Sequence, residues 1–192
     1  MKNISVRAEK IFVLASCVAL MLVTRGKHFG SEFNPPDATL AIFFIAGVYL
    51  RHIAYPALLM AFAILIDYFA IRNGVSGWCI TPAYLFLIPT YLTMWFGGKT
   101  FSSLDVASIS NGLALGTQLF VCSAMAFTIS SGGFYLFSGY YSEPTVAEFM
   151  RRTVQYSPSY IRNIFIYTTL AIVVLKAINA TKRYRSMNIP VS

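Results

Sequence analysis

The sequence predicts an all-α integral membrane protein, a bundle of six transmembrane helices that forms a single domain over residues 1–192. Hydrophobic residues make up 57% of the chain, charged residues only 11%, and the mean hydropathy is +0.63. A soluble domain carries roughly a quarter charged residues, and the apolar residues here are grouped in runs, as expected where lipid is the solvent. These observations exclude a soluble globule, a disordered chain and a collagen-like chain.

Six apolar runs define the predicted helices, and they are taken here in chain order. The first two are short for a hydrocarbon core of about 30 Å at 1.5 Å per residue, so we expect them to extend into their flanks. The runs are Ile11–Val23, Ala38–Leu50, Ile53–Ile71, Ala83–Phe96, Val106–Ser131 and Tyr160–Ala177.

The first run also has features of a signal peptide, because Lys2, Arg7 and Lys10 precede it. No small-residue cleavage site follows, only Thr24-Arg25-Gly26-Lys27. We therefore interpret the first run as a transmembrane span.

The distribution of Lys and Arg predicts the topology. Six spans place both termini on one side, and with the termini inside the basic residues divide nine inside against six outside. This favours cytoplasmic termini. The net charge of +8 then serves topology and anionic lipid, and we expect no nucleic acid partner. The inner residues are Lys2, Arg7, Lys10, Arg51, Lys99, Lys176, Lys182, Arg183 and Arg185.

The longer predicted loops, 24–37, 72–82 and 132–159, all face outward in this topology. Elaborate loops on one face of a compact bundle are a common place for binding residues. We therefore expect a ligand cavity that opens toward the outside.

Asp67 is the one acidic residue within an apolar run, near the outer end of the third helix. An Asp at mid-bilayer costs about 2.5 to 3.5 kcal/mol even on lenient scales, so an intramembrane carboxylate indicates a functional site with a partner. The structural alternative is an interfacial Asp that is solvated or paired with Arg72.

Cys79 differs from the other two cysteines in its predicted surroundings. Cys17 and Cys122 lie inside apolar helices and are best interpreted as small hydrophobic residues. Cys79 follows Trp78 in an outer loop, where a thiolate is a good metal ligand and a good nucleophile. A single Cys is not a zinc site. The alternative is a loop cysteine shielded by Trp78.

The last outer loop combines glycines and aromatic residues over 132–141, followed by a predicted short helix that carries Glu148, Arg151 and Arg152. Such aromatic residues stack on a planar ligand or form an interfacial belt, and both interpretations stay open. Arg152 suits phosphate and carboxylate, whereas its local alternative is an ion pair with Glu148 four residues earlier.

Two small-xxx-small patterns, Ala15–Ala19 in helix one and Gly112–Gly116 in helix five, indicate close helix packing, within the chain or against a partner. Gly97-Gly98-Lys99-Thr100 ends like a phosphate-binding loop. The first glycine of that motif would fall at position 93, however, which is Thr93, and a membrane helix precedes the motif instead of a strand. We therefore predict no nucleotide site.

Six helices in about 190 residues, the Ala-x-x-x-Ala of helix one and the outward set Asp67, Cys79, Tyr84 and Arg152 resemble the BtuM-like cobalamin-specific S components of energy-coupling-factor (ECF) vitamin transporters. The resemblance covers the whole chain in length and order. It implies an S-component-like bundle with an outward-facing cavity, in which the protein binds vitamin B12 for transport and is not an enzyme.

The resemblance also implies roles for single residues. Cys79 would be an axial ligand of the corrin cobalt, and Asp67, Tyr84 and Arg152 would contribute to binding of cobalamin or a precursor, beside Trp78. Ala15 and Ala19 would contact the transmembrane coupling subunit of an ECF module, whose ATPases would supply the energy. A corrin is apolar on its faces and rimmed with amides, which suits an aromatic cavity with a few polar groups.

Two other function classes stay open. One is a membrane cysteine transpeptidase or protease of the exosortase type, with Cys79 as the nucleophile. Such an enzyme needs a base within hydrogen-bond reach, and only His28 and His52 exist; His28 is also a possible metal ligand. The other class is an S component for a different vitamin, or a small bundle that stabilises a larger complex.

Overall fold

The computed structural model describes residues 2–25, 36–74, 77, 80–101, 104 and 108–188. Over these residues it contains six α-helices and a 3₁₀ helix at Pro82–Phe86, and no strand. The prediction of an all-α fold with six helices is confirmed for this part of the chain. The helices are α1 (Lys2–Arg25), α2 (Thr39–Tyr49), α3 (Ala54–Arg72), α4 (Leu87–Lys99), α5 (Ile109–Phe137) and α6 (Val146–Asn188).

Among the residues that the structure describes, three helices are long and apolar enough to cross a membrane: α3, α5 and the Val146–Ile178 part of α6. Their large apolar side chains face outward in many places, which is typical of a surface in contact with lipid. The exposed residues include Leu58, Ile64 and Leu65 of α3, Leu113, Phe120 and Met125 of α5, and Leu170, Val173 and Val174 of α6.

Helix α2 forms the centre of the bundle. Its side chains from Thr39 to Val48 are buried apart from Leu40, as expected for a helix that is apolar on every face. It packs against α4, where the rings of Phe43 and Tyr91 stack at 4.4 Å between centroids. This central position lets α2 contact α1, α3, α4 and α6.

Glycines allow α2 and α4 to cross in direct backbone contact. A Cβ atom on Gly47 would overlap the carbonyl group of Trp95, and one on Gly98 would overlap the carbonyl group of Phe44. A Cβ atom on Gly97 would overlap the Cys122 sulfur of α5. The glycine pair that resembles the end of a phosphate-binding loop is therefore a helix-packing element.

The predicted loop 132–159 is wrong in its extent. Helix α5 continues through Gly132 and Gly133 to Phe137, and α6 begins at Val146. Gly133 is needed inside the helix because a Cβ atom there would overlap the ring of Phe86 in the 3₁₀ helix. The non-helical connection is reduced to residues 138–145.

The short helix predicted around Glu148 is not separate from helix six. It is the first part of α6, which continues through Pro158. Proline removes one hydrogen bond from a helix interior and usually ends or bends the helix. Here the following turn is packed on α5, where the rings of Phe127 and Tyr160 lie 5.1 Å apart in an edge-to-face arrangement.

Candidate functional site

A cavity of about 750 Å³ lies at the end of the bundle away from the glycine crossing. Successive helices run in opposite directions, so the C-terminal parts of α1, α3 and α5 meet the N-terminal parts of α2, α4 and α6 at this end. Asp67, Tyr84 and Arg152, which are distant in sequence, all line this cavity.

Asp67 makes a bidentate ion pair with Arg25 at the end of α1. Arg25 Nε donates to Asp67 Oδ1 at 2.7 Å and Nη2 donates to Oδ2 at 2.6 Å. The hydroxyl of Tyr84 donates to the same Oδ2 at 2.7 Å. Arg72, the partner named in the structural alternative, donates instead to the hydroxyl of Tyr68 at 3.0 Å. The prediction that Asp67 needs a partner therefore holds, with a different arginine.

Arg25 also connects α1 to α2 and α4. Its Nη1 donates to Tyr91 at 2.9 Å and to Thr39 at 3.3 Å, and lies 3.6 Å from a carboxylate oxygen of Asp37. The sequence predicts Arg25 in the outer loop 24–37. In the structure Arg25 is the last residue of α1, and its side chain is only 10% exposed. We call Arg25, Asp37, Asp67 and Tyr84 the polar wall of the cavity.

The polar wall keeps the guanidinium of Arg25 charged. Burial disfavours a charged side chain, and the carboxylates of Asp67 and Asp37 beside the guanidinium offset this cost. A buried guanidinium that is paired in a bidentate geometry is a rigid element, because its planar fork fits one carboxylate orientation.

Aromatic residues of α5, of α6 and of the connection between them also line the cavity. The rings of Tyr135 and Tyr141 lie 4.7 Å apart, and those of Tyr135 and Phe149 lie 5.7 Å apart. Flat aromatic faces of this kind suit a large planar ligand. We call this set the aromatic wall: Phe127, Phe134, Tyr135, Tyr141, Phe149 and Tyr160.

Arg152 lies beside the aromatic wall. Its guanidinium carbon is 4.6 Å from the centroid of the Tyr141 ring, and Nη1 donates to the Tyr141 hydroxyl at 3.0 Å. Its Nε donates to Glu148 at 2.8 Å, which confirms the predicted local ion pair. Arg152 is thus both a helix ion-pair residue and a residue of the cavity.

Cys79 and Trp78 lie outside the described residues, as does His28. Ile80, the residue that follows Cys79 in the sequence, lines the cavity. Cys17 and Cys122 are buried with free thiols, as predicted for small hydrophobic residues. Within the described ranges, no three His, Cys, Asp or Glu side chains are grouped so that they could hold a metal ion.

Ala15 and Ala19 are both exposed on one face of α1. In the other small-residue pattern, a Cβ atom on Gly116 would meet open space. The packing glycines of the described bundle are instead those at the α2–α4 crossing and in the second half of α5.

Comparisons with known proteins do not assign the chain to a family. No model of a known protein family matches the chain, and no curated protein matches its sequence at a significant level. The resemblance to cobalamin-specific S components therefore stays a prediction from the residues quoted for it.

Proposed function

We propose that the protein is the substrate-binding membrane component of a vitamin uptake system and that it binds cobalamin or a precursor in the cavity. In this proposal Cys79 is a ligand of the corrin cobalt, and Asp67, Tyr84 and Arg152 bind groups on the corrin periphery beside Trp78. The chain lies in a bacterial cytoplasmic membrane with cytoplasmic termini, and the cavity faces outward.

One observation carries the proposal: three polar residues that are far apart in sequence line the same cavity as the aromatic wall. The cavity volume of about 750 Å³ lies within the usual range for sites that bind small molecules. The aromatic wall suits the flat, apolar face of a corrin, and the polar wall suits its amides.

The position of Cys79 in the sequence also supports the proposal. It directly precedes Ile80, which lines the cavity. One thiolate bound to cobalt supplies a strong attachment point without the four ligands that a zinc site needs.

The exposed Ala15–Ala19 face of α1 supports the transport part of the proposal. Small exposed residues allow another transmembrane helix to approach closely. We propose that this face contacts the coupling subunit of an ECF module, which supplies the ATPases.

The cysteine-enzyme alternative gains no support from the described residues. It requires a base next to Cys79. His52 lies between α2 and α3, at the end of these helices away from the cavity.

A cavity-filling variant tests the proposed function. Ser131→Trp places an indole among cavity-lining residues, whereas Thr128→Trp places the same group on the exposed face of α5. We expect the purified parent and Thr128→Trp to retain cobalamin in equilibrium dialysis and Ser131→Trp to lose it. A parent that retains none contradicts the proposal and directs attention to other vitamins.

A further inference from the structure

We infer that Arg25 is a positioning residue that makes the polar wall a hydrogen-bond acceptor surface, so that this wall, unlike the part of the cavity lined by Arg152, selects N–H donors of a ligand over carboxylates. The inference rests on the proposed function, because its test uses cobalamin and a cobalamin derivative as probes. Its observations are the hydrogen-bond directions and the charges of the polar wall.

Tyr84 offers lone pairs to the cavity because its hydrogen is already used. A phenol carries one O–H, and that of Tyr84 is donated to Asp67 Oδ2 at 2.7 Å. Asp67 accepts this bond as a carboxylate, because Arg25 pairs with it through two N–H groups. An ionised carboxylate is an acceptor only, so neither group donates to a ligand.

Arg25 itself has little left to offer an anion. A guanidinium has five N–H groups. Nε–H and one Nη2–H bind Asp67, and the two Nη1–H groups bind Tyr91 and Thr39, which leaves a single Nη2–H. The planar fork that recognises carboxylate or phosphate is therefore occupied inside the protein.

The charges of the polar wall have the same consequence. One positive side chain, Arg25, faces two negative ones, Asp37 and Asp67. The surplus negative charge repels a carboxylate and attracts the positive end of an N–H dipole. A ligand rimmed with primary amides satisfies this wall, and the same ligand with an acid in place of an amide does not.

The test compares two probes that differ in one group: cobalamin, and a monocarboxylic acid derivative of cobalamin in which one peripheral amide is hydrolysed. We expect the purified parent protein to bind cobalamin at least about tenfold more tightly than the acid, because a site built for one hydrogen-bonding group rejects its analogue. Several isomeric acids are measured separately, and the discrimination is expected for the isomer whose changed group faces the polar wall.

Variants then assign the discrimination to Arg25. Asp67→Asn removes one negative charge and releases the fork of Arg25, so the acid should gain affinity relative to cobalamin. In the double variant Arg25→Gln/Asp67→Asn this gain should disappear. A role of Arg25 in folding alone would not reverse the preference between two ligands.

Tyr84→Phe gives a second test that changes no charge. It removes an acceptor, so cobalamin should bind several-fold more weakly while the acid is little affected. Tyr68→Phe is the matched control, because the hydroxyl of Tyr68 pairs with Arg72 on the outside of α3.

The outcomes separate this inference from the function on which it rests. Equal binding of cobalamin and every acid isomer by the parent overturns the inference while the proposed function stands. An unchanged preference in both Asp67→Asn and Tyr84→Phe also overturns it. A parent that retains neither probe contradicts the proposed function and the inference together.

Discussion

The two ends of the bundle use the same pair of helices in different ways. At the C-terminal ends of α2 and α4, glycines bring the two backbones into direct contact. At their N-terminal ends, Thr39 and Tyr91 bind Arg25 and the helices border a cavity. Small residues thus close one end, and a part-buried ion pair with its hydrogen bonds connects α1, α2, α3 and α4 at the other end, where the cavity lies.

This difference separates two kinds of stability. The closed end depends on the absence of side-chain atoms, so any added carbon should be costly. The open end depends on matched polar partners, so the removal of one partner should cost more than the removal of both. Three substitutions test these expectations, in order of expected effect.

Gly98→Ala should have the largest effect. Its Cβ atom would overlap the carbonyl group of Phe44, and because the contact is with backbone, no side-chain rotation relieves it. We expect a loss of about 4 kcal/mol or more in the free energy of unfolding, measured by chemical denaturation in detergent.

Gly116→Ala is the matched control for Gly98→Ala, because its Cβ atom would meet open space. Alanine is a better helix former than glycine, so this variant should be neutral or up to about 1 kcal/mol more stable. Equal effects of the two substitutions would contradict the packing role of Gly98.

Arg25→Gln should follow in size at the open end. It leaves the carboxylate of Asp67, which is 22% exposed, without its charged partner. We expect a loss of about 3 kcal/mol in the free energy of unfolding. Adding Asp67→Asn should recover much of it, because amides then replace both charges. A double variant whose loss equals the sum of the losses in Arg25→Gln and Asp67→Asn would show that the two residues are not coupled.

Tyr135→Phe should have the smallest of the three effects. The Tyr135 hydroxyl accepts a hydrogen bond from the Thr145 amide at 2.9 Å and donates to the Thr145 carbonyl at 3.2 Å, just before α6 begins. Loss of these bonds should cost about 1 kcal/mol. Tyr68→Phe removes an exposed hydrogen bond and should cost less stability. A larger loss in Tyr68→Phe than in Tyr135→Phe would contradict the stabilising role of the Tyr135–Thr145 hydrogen bonds.

The helices were predictable from the sequence because apolar runs mark them directly. The residues at which the helices begin and end were harder to predict. From the sequence alone, Gly133 in the last turns of α5 indicates a loop. Only the packed structure shows that a glycine is needed there, because a Cβ atom would overlap the ring of Phe86. Pro158 likewise suggests a helix start, although α6 begins twelve residues earlier, at Val146.

The site was predictable only in part. Asp67 stands out as a carboxylate in an apolar run, but its partner could not be found by spacing. Arg72 is five residues away and faces a different side of the helix, whereas Arg25 is 42 residues away and meets Asp67 only because α1 and α3 end at the same side of the bundle. The one sequence signal for Arg25 is its position directly after an apolar run.

We propose that this protein binds cobalamin through Cys79, and visible absorption spectroscopy is the sharpest test of that proposal. The purified parent, Cys79→Ser and the control Cys17→Ser, whose thiol is buried in α1, are each incubated with cobalamin and washed. We predict retained pigment with a shifted cobalt spectrum in the parent and in Cys17→Ser, and no such shift in Cys79→Ser. An identical shifted spectrum in Cys79→Ser, or colourless protein in all three samples, would contradict the claim.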